Sequence, residues 1–326
     1  MFPPIGPEKP WLAPLAGYSD LPFRLLCREF GCAVACTEMV SAKGLVNQTP
    51  ETWRLLETCS LDTPLVVQLF GAQREYLQRA VALLVEQGCT LFDLNAGCPV
   101  KKVVKTGAGA GLLQNFTLLV DLVQGMTEIA GPGRVGVKLR LGWSRPCSGL
   151  ADLVQRLQEE GAGWITLHPR TVRQGFSGKA DWEWTKWLHE SSSLPVLGSG
   201  DLLSAADGLV CMAGHKASGI MFARGALYNP SIFQDYLHGL QAGLELAGIE
   251  SPDGGMNGRL AMARRHSELC RAYLDDRRSL LKMRTVVPRY LKGFARARSI
   301  RPRIVSCRSW QELEDILDVL QETHSI

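Results

Sequence analysis

The sequence predicts an α/β fold: a (β/α)8 barrel of the TIM type over residues 1–245, followed by a small all-helical C-terminal domain over residues 255–326. Three observations predict it. Eight short apolar runs of strand length recur up to about residue 240, with helical spacing between most of them. A loop rich in Gly, Ser, Pro and Asp, Gly248–Gly258, then breaks the alternation, and beyond it the periodicity is helical. Eight βα units in roughly 230 residues suit a closed eight-stranded barrel. A doubly wound sheet usually has fewer strands and an early GxGxxG, which is missing here.

In chain order, the strand-length runs are Trp11–Ala16, Ala33–Glu38, Leu65–Phe70, Leu91–Asn95, Val135–Leu141, Trp164–His168, Pro195–Ser199 and Gly219–Ala223. They read as near-continuous Val, Ile and Leu, the composition of strands buried on both faces. Asp20 ahead of Leu21-Pro22 marks a helix N-cap. Arg74–Gln87, Phe116–Ile129 and Leu150–Glu160 carry helical spacing, the last two closed by Gly131 and Gly161. Trp182, Trp184 and Trp187 fit packing positions, and His189, His215, His238, His266 and His324 show no partner pattern, so solvated or capping roles are expected. After the boundary loop, RLAMARRHSELCRAYLDD, LKMRTVVPRYLKGFARA and WQELEDILDVLQET predict three helical stretches.

The 326 residues are 46% hydrophobic and 21% charged, which excludes disordered and fibrous classes. No apolar run reaches the ~18 residues of a membrane helix. The start, MFPPIGPEKPW, lacks a basic, apolar leader, so a soluble cytoplasmic protein is expected. Ten cysteines are scattered with no C-x-x-C pair or zinc spacing, so no metal site is expected. Charge is uneven. From Arg259 to Arg308 fifteen Lys or Arg face three acids, a net +12, leaving 21 basic and 29 acidic residues, a net −8, elsewhere. A one-signed excess on this scale points to a polyanion partner, nucleic acid before membrane.

The active site of such a barrel lies at the carboxyl ends of its strands, and polar residues gather there. They are Gln68, Asn95 and the turn Ala96-Gly97-Cys98-Pro99, Lys138 with Arg140, His168 with Arg170, Ser199-Gly200-Asp201, and Ala223-Arg224-Gly225. The glycine-bearing loops after strands seven and eight, with Arg224, suit a bound phosphate. Lys138 sits in the apolar context VGVKLRL, where an ammonium costs several kcal/mol to desolvate unless an anion compensates it. A flavin's electron-rich edge or a carboxylate such as Glu38 or Asp93 fits that need.

These residues resemble a known family. APLAGYSD (Ala13–Asp20), VVQLFG (Val66–Gly71), DLNAGCPVKKVVKTGAGAGLL (Asp93–Leu113), VKLRLGW (Val137–Trp143), LHPRTVRQGFSGKADW (Leu167–Trp182) and ARGALYNPSIF (Ala223–Phe233) are similar to the tRNA-dihydrouridine synthases, most of all the bacterial B-type branch. The tail segment MRTVVPRYLKGF resembles that family's helical domain. The resemblance implies FMN-dependent reduction of the C5=C6 bond of particular uridines in tRNA, with NADPH (or NADH) as hydride source; a monomer is expected. Pro14, Leu15, Ala16, Gln68, Lys138, His168, Ser199, Gly200, Asp201, Ala223 and Arg224 are implied FMN contacts. Asn95 is implied to position the uracil, Lys101, Lys102 and Arg170 to contact RNA or base, and Cys98 to be the catalytic acid.

The implied chemistry suits the residue types. Hydride arriving at C6 leaves electron density at C5 that needs a proton, and a thiol with a reference pKa of ~8.5 can give one at neutral pH. Three positions depart from the family pattern. Ser199 stands where Asn is usual, Ala223 where Gly is common, and Thr285-Val286 where a basic Lys-His often follows the Met-Arg pair. Two alternatives remain open at this stage: a barrel reducing a free pyrimidine, and a catalytically silent RNA-binding relative.

Overall fold

In the computed structural model, which describes residues 2–243, 255–294 and 297–322, nine parallel strands build one sheet. They are β1 (Trp11–Leu12), β2 (Val34–Cys36), β3 (Val40–Ser41), β4 (Leu65–Phe70), β5 (Leu91–Ala96), β6 (Val135–Arg140), β7 (Trp164–His168), β8 (Val196–Gly198) and β9 (Gly219–Phe222). β1 pairs with both β2 and β9, and β2 also pairs with β4, so eight of the strands close into a ring. β3 is a two-residue annex on the end of β4. The expected (β/α)8 barrel is therefore present. β1 is far shorter than its apolar run because Pro14 has no N–H to continue the ladder, which ends as Ala13 N–H donates to the Phe222 carbonyl.

The floor of the barrel is packed. Trp11 and Trp164 meet edge to face, with ring centroids 5.7 Å apart, among Val34, Val66, Leu91 and Met221. Gly136 makes room for this plug, since a Cβ there would stand 2.0 Å from the Trp164 ring. With the floor filled, the open end lies at the carboxyl ends of the strands. Around the ring, Arg74–Glu86, Phe116–Ala130 and Leu150–Glu159 form helices within a residue or so of expectation, each burying its apolar stripe. Asp20 caps the helix Leu21–Glu29 as expected, its carboxylate accepting from Phe23 N–H.

The tail has four described helices: Gly255–Tyr273, Asp276–Tyr290, Ala297–Ser306 and Trp310–Glu322. Three were expected. The additional one, Ala297–Ser306, holds Pro302 and buries only Ile300 and Ile304, too narrow an apolar face to show as a period. Of the expected boundary loop Gly248–Gly258, residues up to 254 lie outside the described residues, as does His324. The tail core, with Leu260, Met283, Val287, Ile304, Leu313 and Leu317, takes in Leu21, Leu25 and Leu26 from the barrel helix Leu21–Glu29.

One expectation in the tail needs correction. His266 is neither solvated nor capping: it is fully buried, with Nδ1 2.8 Å from the Tyr290 hydroxyl. Part of the basic excess faces the barrel. Arg265 pairs with Glu29 at 2.6 Å, Arg278 with Glu57 at 2.9 Å and Lys282 with Asp20 at 2.8 Å, each ion pair joining tail to barrel.

Candidate active site

Strand register brings the polar residues of the open end together. β5 against β6 sets Asn95 beside Lys138, and β6 against β7 sets Arg140 beside His168. The cleft they form has a cavity volume of about 220 Å³ and opens to solvent. All eleven residues expected to contact the cofactor line it, together with Asn95 and Cys98.

Cys98 is held by its backbone. Asn95 Oδ1 accepts from the N–H groups of Cys98 (2.9 Å) and Gly97 (3.2 Å), an Asx-type turn that closes the loop after β5. Arg140 Nε donates to the Gly97 carbonyl at 3.1 Å, and Ala110 N–H donates to the Cys98 carbonyl at 3.0 Å. Gly109 allows that last approach: its φ is +59°, and a Cβ there would stand 2.9 Å from the Cys98 carbonyl oxygen and 2.8 Å from Val103. The chain of contacts runs on behind the loop. Asn95 Nδ2 donates to Gln68 Oε1 at 2.8 Å, and Gln68 Nε2 donates to Asp93 Oδ2 at 2.6 Å.

Cations outnumber anions around the cleft. Burial pushes the Lys138 ammonium below its ordinary pKa, with the charge of Asp93 opposing that shift, and among the described residues Lys138 has no ion pair. Burial likewise pushes the Asp93 carboxyl upward, toward its neutral form, and its Oδ1 has no hydrogen-bond partner. Arg140 is lowered to about 10, by burial first and then by Arg170; it is still protonated at neutral pH and donates to three backbone carbonyls. Asp201 faces Arg170 at 2.6 Å and Arg224 at 3.1 Å. Burial opposes its ionisation, but hydrogen bonds from Arg170 and Ala180 N–H, with the charge of both arginines, hold its pKa below the usual value. His168 is driven down to about 2 by burial and by Lys138, Arg140, Arg170 and Arg224, so its imidazole is neutral. The arrangement can take a buried anion and can present a thiol beside it.

Three expected contacts are not brought into the cleft. Lys101 and Lys102 are exposed on the short helix Lys101–Val104 just beyond Cys98. Arg170 is 1% exposed and lies behind the cleft wall, its guanidinium spent on Asp201, on the Gly178 and Ser177 carbonyls, and on His168 Nε2 at 3.4 Å. Asp201 turns back to meet it in a left-handed backbone conformation, φ +55°. Ser199 lines the cleft, but its hydroxyl donates to the Met221 carbonyl at 3.0 Å. Trp182 is a packing residue as expected, and its Nε1 also holds the Gly200 carbonyl at 3.0 Å.

Sequence reasoning missed Phe176 and gave Arg140 no role. Phe176 is 60% exposed at the rim, with the Arg224 guanidinium 4.7 Å from its ring centroid and that of Arg140 at 5.7 Å. For Arg140 a signal existed: VKLRL places it two residues from Lys138, on the same side of the strand.

Comparison with known proteins agrees with this geometry. The family model described as dihydrouridine synthase (Dus) matches residues 11–324. A probable tRNA-dihydrouridine synthase 1 of Synechocystis sp. is 32% identical over 308 residues, covering 94% of this chain and 84% of the relative. That of Aquifex aeolicus is 30% identical, covering 95% of each chain. The tRNA-dihydrouridine synthase B of Shewanella oneidensis is 33% identical, covering 73% of this chain and 74% of its own. Among solved structures, morphinone reductase aligns with a TM-score of 0.53 at 12% identity, over 71% of this chain and 86% of that one, a likeness of fold.

Proposed function

The chain belongs to the dihydrouridine synthase family, whose flavin-dependent barrels reduce uridines in tRNA, and on that premise we propose FMN as its flavin, NADPH or NADH as its reductant and Cys98 as its proton donor. One observation carries the reading: a thiol on a hydrogen-bonded turn borders a cleft lined by Lys138 and Arg140, which have no ion pair among the described residues, and by Arg224, which shares Asp201 with Arg170.

The residues fit FMN. Lys138, buried without an ion pair, has the charge to meet an electron-rich flavin edge, which offsets its desolvation. Arg224 and the loops carrying Gly200 and Ala223 have the donors for a phosphate. Bound and reduced, the flavin supplies a hydride to uracil C6. Cys98 gives its proton to C5, and the hydrogen bonds on its N–H and carbonyl fix the backbone that carries the sulfur. Neutral His168 donates or accepts hydrogen bonds without adding a fifth charge. A uridine reaches this cleft only after leaving its stack.

For the RNA backbone, Lys292, Arg298, Arg301 and Arg303 are exposed tail cations with no ion pair among the described residues. Arg284, Arg289, Lys292 and Arg301 line a groove that includes Tyr228. Tyr228 ends the one-turn helix Arg224–Tyr228, whose first residue borders the cleft, so this short helix joins the tail groove to the mouth. Val286, by contrast, is 2% exposed in the tail core and Thr285 bonds its own helix, so neither replaces the basic pair often found there.

The test is to map dihydrouridine in tRNA from a strain lacking this gene, complemented with the wild type or with Cys98→Ala. The wild type restores the modification. Cys98→Ala stays yellow while its rate of product formation falls about 10²–10⁴-fold. A colourless wild type, or no restoration, overturns the reading.

A further inference from the structure

We propose that Lys282, a residue of the helical tail, is a positioning residue for the flavin: it fixes the loop after β1 that forms one wall of the cleft. This rests on reading the cleft as the flavin site. Pro14, Leu15 and Ala16 line that wall, yet Ala16 and Gly17 are exposed and β1 itself ends at Leu12, so side chains rather than the sheet hold the loop, Glu38 from the barrel accepting from Gly17 N–H among them. Its order comes from what grips the next four residues. Lys282 Nζ donates to the Gly17 carbonyl (3.0 Å), the Tyr18 carbonyl (3.1 Å) and Asp20 Oδ2 (2.8 Å). An ammonium has three protons, and all three are placed.

The grip passes directly to the wall. Tyr18 and Ser19 N–H both donate to the Leu15 carbonyl, at 2.8 and 2.9 Å, and Leu15 N–H donates to Ser19 Oγ at 2.9 Å. The two carbonyls capped by Lys282 are thus part of the same turn that sets Leu15 and Ala16. Arg289, two turns along the same helix face, bonds the Tyr18 hydroxyl and lies 4.5 Å from its ring centroid, while the Lys282 ammonium lies 5.5 Å from it. The Lys282 side chain is 9% exposed, so it is spent on the barrel and not on RNA. The tail therefore does two things: its exposed cations face outward, and this buried one completes the cofactor wall.

The experiment measures FMN affinity by fluorescence titration, and the visible circular dichroism of the bound flavin, for the full-length wild type, Lys282→Met and Arg265→Ala. Arg265 joins tail to barrel through Glu29, on a different element from the loop. Lys282→Met is expected to raise the FMN dissociation constant roughly tenfold, the scale on which lost preorganisation acts, and to alter the dichroism at saturating FMN. Binding of tRNA by the apoprotein stays within twofold. Arg265→Ala leaves FMN affinity within twofold. The inference is overturned by a Lys282→Met dissociation constant within twofold of wild type, or by an equal loss in Arg265→Ala, which means general loosening. Should Lys282→Met not fold, Lys282→Arg, which cannot cap both carbonyls from one atom, carries the same test with the same criteria. A wild type that takes up no FMN overturns the flavin reading itself, a result distinct from either.

Discussion

At the barrel mouth Arg170 and Arg224 share one carboxylate, Asp201, and Lys138 and Arg140 have no ion pair among the described residues, whereas in the tail Arg264, Arg265, Arg278 and Lys282 each meet one or two carboxylates of their own. By composition the tail holds the strongly positive stretch, +12 over fifty residues, whereas residues 1–243, with 21 basic and 21 acidic residues, are neutral. By pairing the order reverses where it matters: the buried electrostatic deficit is at the mouth. Formal charge predicts which surface attracts a polyanion from a distance. It does not predict where a bound anion is needed, because that depends on burial and on which carboxylates lie within reach.

Lys138→Met tests the mouth half of this comparison and has the largest expected effect. Removing a buried ammonium without an ion pair relieves its desolvation, so the apoprotein is expected to be as stable as wild type or more so in urea. FMN affinity is expected to fall about 100-fold, roughly 2.7 kcal/mol. An apoprotein destabilised by several kcal/mol breaks the comparison, since Lys138 is then compensated within the protein.

The barrel was legible in the sequence because its strands are buried on both faces and carry unbroken apolar runs, and the Cys98 turn was legible because Asn95, Gly97 and Pro99 are turn residues around a thiol. Arg170 was placed on the wrong side of the cleft wall. A guanidinium at a strand end reads the same whether it faces the cavity or stands behind it, and here the left-handed turn at Asp201 decides. The role of Arg140 was hidden for another reason: its acceptors are the backbone carbonyls of Gly97, Thr171 and Gly175, which leave no side-chain pattern. Lys282 was out of reach because its partner Gly17 lies 265 residues away.

The crowding of cations at the mouth also has a pH signature. His168 is held to about 2 by burial and the four surrounding cations, against an unfolded value near ~6.5. Between those values the unfolded chain binds a proton that the folded chain refuses. Stability is therefore full above pH ~6.5 and falls as pH drops below it, by up to about 1.4 kcal/mol per unit. His266, pushed below its ordinary value by burial, adds a second slope of the same sign from the tail. Urea midpoints between pH 7.5 and 5 are expected to fall less steeply in His168→Gln, by about one proton's worth. An unchanged slope means that the mouth admits a proton and its positive field is weaker than the geometry implies.

The smallest effect tests the other half. Arg265 and Glu29 are 48% and 39% exposed, and exposed pairs contribute about 0.2–1 kcal/mol, less as salt rises. Arg265→Ala is expected to lower stability by roughly 0.5 kcal/mol at low ionic strength, and the difference is expected to fade in 1 M salt. The reason is that Leu21, Leu25 and Leu26 already bury the same barrel helix in the tail core, so the paired charges orient a joint that apolar contact holds. A loss above 2 kcal/mol that persists in salt assigns the docking to the ion pairs instead, and the tail then resembles the mouth in depending on charge.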